Sequence, residues 1–317
     1  MKVLLPTTVE LNPDAVDGVT YIHYDVQEPI PENHRDAEAV VVWGNPRARL
    51  QEMVTDLATL RWVQGLAAGP NSIISAGFGE DVIITSGRSL HDTTVAEHAL
   101  ALMLSAVHKL YAMRDAQLEG RYPKELGGLQ PVDPVGNLTS LLGARVLIWG
   151  FGSIAKTLAP FLVTLGAKVK GIARSSGERD GFTVHAEAEL ETHLPNTDIL
   201  VMILPSTPAN HHALSASRLA KLPAHAWVVN VGRGDTVNEV DLAQALHQGQ
   251  LAGAALDVFE TEPLPADSVL WNAPNLIMSP HAAGGRPRGA DALIVRNVKA
   301  FLASELLENT VDPTKGY

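Results

Sequence analysis

The sequence predicts an α/β protein with parallel sheets, and three observations predict it. Short runs rich in Val, Ile and Leu recur along the chain, each followed by a turn and a stretch of helical periodicity. These runs are apolar almost without interruption, the pattern of strands buried on both faces. One of them, "VLIWG" (146–150), leads into a glycine-rich turn and then the helical stretch "SIAKTLAPFLVTLG". At 317 residues, 46% hydrophobic and 19% charged, the chain is long enough for two domains and too apolar for disorder.

The first half offers strands at "KVLLP" (2–6), "VTYIHY" (19–24), "AVVVWG" (39–44), "LRWVQGLAAG" (60–69) and "DVIITS" (81–86). The second offers "ARVLIWG" (144–150), "AKVKGIA" (167–173), "DILVMILP" (198–205), "AWVVNVG" (226–232), "AGAALDV" (252–258) and "NLIMSP" (275–280). Among the helices, "NEVDLAQALHQG" carries a full set of signals: Asn238 to cap, Leu242, Ala245 and Leu246 on one face, Gly249 to terminate. A long helix is predicted near Thr93–Met113, followed by a Gly- and Pro-rich loop, "EGRYPKELGGLQPVDPVGN", and a last helix is predicted near Gly289–Leu307.

Charge and composition exclude several functions. A net charge of −11 disfavours nucleic-acid binding, which rests on clustered Lys and Arg. With no cysteine there is no disulfide or thiolate chemistry, which suits a cytoplasmic protein. "MKVLLPTTVE" reads as a first strand rather than a signal segment, and "VAEHALALMLSAVHKL" carries Glu97, His98, His108 and Lys109, so no membrane span is expected.

The turn Gly150-Phe151-Gly152 has the context of a dinucleotide-binding fingerprint, with Ala155 at the third glycine position. Gly150 allows the tight turn and Gly152 lets a pyrophosphate approach the backbone. The N–H groups of Ser153 and Ile154 then open a helix whose dipole favours phosphate. The next strand ends in Ala173-Arg174-Ser175-Ser176, where NAD sites place an acidic residue for the ribose hydroxyls. An arginine fork with hydroxyls suits a 2′-phosphate instead, so NADP(H) is favoured, with NAD(H) as the second option. Arg145, Lys156, Lys168, Lys170, Arg174 and Arg179 make this segment basic, against Glu178 and Asp180.

Three further residues follow the carboxyl ends of later strands: Arg233 in "VVNVGRGD", Glu262 in "DVFETEPLP" and His281 in "LIMSPHAAGG". Ligands of open α/β sheets bind at those ends, so three separate stretches converge on one crevice. Arginine can bind a carboxylate and polarise a neighbouring carbonyl, and histidine can exchange a proton with the developing alkoxide. A carboxylate beside an imidazole favours its charged form and fixes its orientation. No metal is expected: the His91 and His98 spacing fits neither H-E-x-x-H nor H-x-x-E-H. His211-His212 reads as surface, and no G-x-S-x-G elbow supports a hydrolase.

"VLIWGFGSIA", "VVNVGRGDTVNEVDLAQAL", "AALDVFETEPLP" and "NLIMSPHAAG", with "LRWVQGLAAG" and "TTVAEHALALML", together resemble the D-isomer-specific 2-hydroxyacid dehydrogenases over most of the chain. The resemblance implies two Rossmann-like, doubly wound parallel-sheet domains. Residues 1–91 and 285–317 would form a discontinuous, flavodoxin-like substrate domain, and 92–284 the dinucleotide domain. It implies Arg233, Glu262 and His281 as the catalytic set, with Asp257 near the nicotinamide carboxamide. Val231, Gly232, Ala282, Ala283 and Gly284 would line the nicotinamide, and Leu204, Pro205 and Ser206 the adenosine half. Leu66, Ala67, Ala68 and Gly69 would bind the substrate carboxylate through backbone N–H groups, joined by Arg233 and His281. Domain closure would exclude water, and the helix from Thr93 would form part of a homodimer interface.

The chain departs from the family pattern in places. Ala173-Arg174 replaces the commoner acidic residue, and Asn71-Ser72 follows Gly69-Pro70 where many members have Asp. The absence of a regulatory domain after Tyr317 argues against a phosphoglycerate dehydrogenase. The expected activity is an oxidoreductase moving a hydride between NADP(H) and a small 2-oxo or D-2-hydroxy acid, glyoxylate/hydroxypyruvate reductase-like, in the reducing direction. The alternative is a nicotinamide-sensing binding protein like the corepressors that share this fold; the absence of an extended arm or partner-binding tail favours the enzyme.

The cofactor expectation has a direct check. Ala173→Asp combined with Arg174→Ala should shift the KM ratio toward NADH in steady-state assays with both cofactors. An unmoved ratio would place the 2′-phosphate elsewhere.

Overall fold

A computed structural model describes residues 1–128 and 138–312, so the second half of the predicted 119–137 loop lies outside the described residues. The chain divides into two compact units, Met1–His91 with Gly285–Tyr317, and Asp92–Gly284.

The first unit is built on a parallel sheet of β1 (Lys2–Pro6), β2 (Thr20–Tyr24), β3 (Ala39–Val42), β4 (Trp62–Gly65) and β5 (Ile83–Thr85), in the order β2-β1-β3-β4-β5. Every residue of β3 and β4 is buried, as strands covered on both faces require, and the polar Gln64 side chain donates to Gly65 O and Ser86 O. Helices α1 (Arg47–Asp56) and α2 (Asn71–Ala76) lie in the connections.

The second unit opens with α3 (Asp92–Val107) and α4 (Leu110–Leu118), where the sequence predicts one long helix. The ladder breaks because Lys109 adopts a left-handed backbone, φ 52°. His91 precedes the helix instead of lying on it, so His91 and His98 share no helical face.

The fold then alternates: β6 (Arg145–Trp149), α5 (Ser153–Thr164), β7 (Lys168–Ala173), β8 (Gly177–Arg179), β9 (Phe182–Ala186), α6 (Leu190–His193), β10 (Ile199–Met202), α7 (Ala216–Leu219), β11 (Trp227–Asn230), α8 (Glu239–His247), β12 (Gly253–Leu256) and β13 (Leu276–Met278). The sheet order is β13-β12-β11-β10-β6-β7-β9-β8. All neighbours are parallel except the β8–β9 hairpin, which the apolar pattern of the sequence does not reveal. The chain moves outward from β6 through β7 and β9, then returns to β10 on the other side of β6. That reversal makes a crevice at the carboxyl ends of β6 and β10, the place where such sheets bind ligands. Helix α8 is capped as predicted, with Asn238 Oδ1 accepting from Asp241 N at 3.0 Å. The chain ends with α9 (Ala290–Leu302), shorter than the stretch predicted, packing Leu293, Ile294 and Val298 into the first unit.

At the opposite end of the second sheet the strand starts are tied by one carboxylate. Asp198 accepts from Arg145 N (2.6 Å), Nε (3.0 Å) and a terminal guanidinium nitrogen (2.6 Å), and lies 2.8 Å from His225 Nε2. Burial opposes its charge, but the Arg145 and His225 hydrogen bonds win and hold the carboxyl below its ordinary range. Its stabilising effect is therefore complete above the unfolded carboxyl pKa of about 3.9 and lost as pH falls through the lower folded value. Asp198→Asn should cost about 2 kcal/mol or more in urea denaturation at pH 7, with the gap to wild type closing below about pH 4.

Candidate active site

Gly150 ends β6 with φ 101°, and a Cβ there would stand 2.4 Å from the Ile203 carbonyl oxygen. Gly150 N and Phe151 N both donate to Ile172 O, at 2.9 and 3.2 Å. The turn is thus wedged between the ends of β7 and β10, and only glycine fits its first position. Gly152 is the reverse case: a Cβ there would meet nothing within 4 Å, leaving open space before the first turn of α5. Ser153 Oγ donates to Asp92 Oδ1 at 2.9 Å, and Ala155 is fully buried against the sheet. The room beside Gly152, at a helix N-terminus, fits the pyrophosphate of a dinucleotide.

Beyond β7, Arg174, Ser175 and Ser176 are exposed. Arg179 joins them to the glycine turn, donating to Phe151 O at 3.0 Å and to Ser175 O and Oγ at 3.1 and 3.2 Å. The sequence shows Arg179 only as one charge among several; the hairpin turns it back toward the strand ends. The same fold separates the other basic residues. Arg145 and Lys168 pair in register at the strand starts, and Lys156 pairs with Asp180 at 3.2 Å.

At the end of β11, Asn230 is fully buried and brackets the next loop. Its Oδ1 accepts from Gly232 N at 3.0 Å and its Nδ2 donates to Arg233 O at 3.0 Å. Val231 is buried, and the Arg233 guanidinium donates to Gly232 O at 2.7 Å. Burial pushes that guanidinium below its ordinary pKa while Glu262 and Asp235 pull the other way. The group keeps its charge, as arginine does in proteins. Ser206, after Leu204 and Pro205, donates to Asp235 Oδ2 at 2.5 Å, which ties the loop after β10 to the loop that carries Arg233.

His281 lies 2.7 Å from Glu262 through Nδ1 and Oε2, and Glu262 Oε1 accepts from Phe259 N at 3.0 Å. Each carboxylate oxygen has its own partner, so Glu262 is fixed before it orients the ring. The side chain of His281 is 46% exposed, and its Nε2 has no hydrogen-bond partner among the described residues. His281 also holds φ 53°, an unusual conformation for a residue with a side chain.

Asp257 imposes that conformation. Its Oδ1 accepts from Ser279 Oγ (2.6 Å) and Ala282 N (2.8 Å), its Oδ2 from Ala283 N (3.0 Å), and its backbone oxygen from His281 N (2.8 Å). His98 Nε2 closes the set, 2.8 Å from Ser279 Oγ and 3.2 Å from Asp257 Oδ1. The carboxylate is fully buried, so its first role is to anchor residues 279–283, the loop leading to Gly284. Sequence reasoning does not single out His98, Asn230 or Arg179 for this site, because nothing local marks them. A buried polar residue inside "VVNV" is the nearest thing to a signal.

In the first unit, Leu66 is buried, with its oxygen accepting from His91 Nε2 at 2.8 Å and Ala67 O accepting from Gly87 N at 2.7 Å. Those bonds hold the loop by its carbonyls. The N–H groups of Ala67, Ala68 and Gly69 donate to no protein acceptor among the described residues. His212, expected on the surface, is half-buried 3.1 Å from Glu260, while His211 is exposed.

Residues 100–283 match the family model described as "D-isomer specific 2-hydroxyacid dehydrogenase, NAD binding domain". The chain is 32% identical over 292 residues to glyoxylate/hydroxypyruvate reductase A of Serratia proteamaculans, covering 90% of both chains. Its fold superposes on a D-isomer-specific 2-hydroxyacid dehydrogenase family protein from Aeromonas salmonicida with a TM-score of 0.83, at 31% identity, over 98% of this chain and 99% of the other. An NADPH-dependent glyoxylate/hydroxypyruvate reductase of Sinorhizobium meliloti, solved with NADP and sulfate, gives a TM-score of 0.81 at 26% identity, over 100% and 99%. Among the described residues no helix is long and apolar enough to cross a membrane.

Asp257→Asn exchanges one acceptor oxygen for a donor that faces a backbone N–H. It should cost about 1–3 kcal/mol in urea denaturation, and an unchanged midpoint would show that the His281 loop is held by something else.

Proposed function

The chain belongs to the D-isomer-specific 2-hydroxyacid dehydrogenase family, and we propose that it works as an NADPH-dependent reductase of small 2-oxo acids. The observation that carries the reading is the His281–Glu262 contact at 2.7 Å, with no hydrogen-bond partner on Nε2 of the ring among the described residues. Bound at the glycine turn, the nicotinamide dinucleotide supplies the hydride. Everything else falls to the chain's own groups.

The Arg233 guanidinium holds the carboxylate of the 2-oxo acid and draws electron density from the adjacent carbonyl. Protonated His281 gives the Nε2 proton to the carbonyl oxygen as it becomes an alkoxide. Glu262, hydrogen-bonded at Nδ1, offsets the charge on the ring and keeps Nε2 aimed. Asp257 keeps the loop behind that ring in place. In the first unit, the unused N–H groups of Ala67, Ala68 and Gly69 are the carboxylate-binding donors that the family resemblance implies.

NADPH is the proposed cofactor because Ala173 presents no carboxylate to repel a 2′-phosphate, while Arg174, Ser175, Ser176 and Arg179 supply donors. The Sinorhizobium relative named as NADPH-dependent supports this choice. Glyoxylate and hydroxypyruvate are the proposed substrates, by analogy with the Serratia relative. We keep the homodimer within the proposal, supported by the large exposed side chains of Leu110, Leu118 and Tyr122 on and after α4.

His281→Ala and Arg233→Ala should each lower kcat/KM for hydroxypyruvate by about 100-fold or more, roughly 3 kcal/mol of transition-state stabilisation. Near-normal turnover in either variant would contradict the assignment.

A further inference from the structure

The β8–β9 hairpin and α6 bring together three side chains that have no part in the cofactor or substrate assignments. His185 is the penultimate residue of β9, Glu189 ends the short 3₁₀ turn Glu187–Glu189, and His193 ends α6. One donor atom from each lies within 4.8 Å of the other two. We propose that His185, Glu189 and His193 form a binding site for one divalent transition-metal ion, with Zn²⁺ as the representative ligand.

Three features of the cluster carry this. The His185 Nδ1 to Glu189 Oε2 distance is 3.5 Å, close to the edge of about 3.3 Å that a tetrahedron with metal–ligand bonds near 2.0–2.1 Å requires. Glu189 is already oriented: its Oε1 accepts from Ala186 N at 3.1 Å, which turns Oε2 toward His185. Neither ring nitrogen of His185 has a hydrogen-bond partner among the described residues, and Nδ1 meets only Glu189 Oε2 at 3.5 Å, so Nδ1 is available to an ion.

The two imidazoles stand 4.0 Å apart between centroids, tilted by 38°, and swinging His193 toward Glu189 completes a three-ligand set. Two imidazoles and one carboxylate suit Zn²⁺, Co²⁺, Ni²⁺ or Cu²⁺. They do not suit Mg²⁺ or Ca²⁺, which need more oxygen ligands. Glu189 is half exposed, so the remaining coordination position is open to water. The even spacing of the three ligands along the sequence hides the set, because a strand, a 3₁₀ turn and a helix each contribute one member. An ion held there would join the end of β9 to α6 and stabilise the edge of the sheet.

The test uses tag-free, chelator-treated protein and equilibrium dialysis against ZnCl₂, with thermal melting in parallel. Wild type should bind one Zn²⁺ at this site and melt at higher temperature with Zn²⁺ but not with Mg²⁺. His193→Gln should weaken that binding by about tenfold or more and abolish the Zn²⁺-dependent rise in melting temperature. Glu189→Gln, exposed and therefore mild for folding, should weaken it as well. His211→Gln removes a member of the other adjacent histidine pair, stacked at 3.9 Å, and should leave binding unchanged. The proposal is overturned if folded His193→Gln and Glu189→Gln bind Zn²⁺ like wild type, or if wild type takes up no Zn²⁺.

Discussion

The site depends on one buried carboxylate. Asp257 sits at the end of β12 with no exposed surface, where an unpaired charge would cost several kcal/mol. It is tolerated because Ser279 Oγ, Ala282 N, Ala283 N and His98 Nε2 all converge on it. Those same bonds pull residues 279–283 into a shape in which His281 takes a left-handed backbone. With the backbone fixed from beneath by Asp257 and the ring fixed from the side by Glu262, Nε2 has one direction left. Preorganisation of that kind is what proton transfer at a developing alkoxide demands.

The parallel sheet of the second unit supplies the frame, and its two ends do different work. At the strand starts, Asp198 binds Arg145 and His225 and locks β6, β10 and β11 in register. At the carboxyl ends side-chain bonds tie β12 to β13 through Asp257 and Ser279, and the loop after β10 to the loop after β11 through Ser206 and Asp235. The glycine turn leaves space in front of α5, bounded by Arg179 on one side and the Ser206–Asp235 bond on the other.

Much of this was legible in the sequence because it follows from short-range rules. The buried strands announce themselves as apolar runs, and the glycine turn needs glycine for steric reasons. Arg233, Glu262 and His281 stand out because each follows a strand end in a parallel sheet. What escaped depends on distant contacts or on polar segments. "GERDGFTVHA" is short and mostly polar, so the β8–β9 hairpin gives no strand signal, and without the hairpin Arg179 looks like any surface arginine. The break at Lys109 is a backbone choice inside a helical pattern. Asn230 and His98 lie in apolar stretches where periodicity reads them as packing, yet their hydrogen bonds set the loops that carry Arg233 and His281.

The central claim is that Arg233, Glu262 and His281 serve hydride transfer to the C2 carbonyl of a small 2-oxo acid. The most direct measurement supplies wild-type protein with hydroxypyruvate and NADPH deuterated at both C4 positions, then analyses the product by mass spectrometry and chiral chromatography. The account predicts D-glycerate carrying one deuterium at C2. Recovery of unchanged hydroxypyruvate with the dinucleotide still reduced, or glycerate of the L configuration, would contradict it.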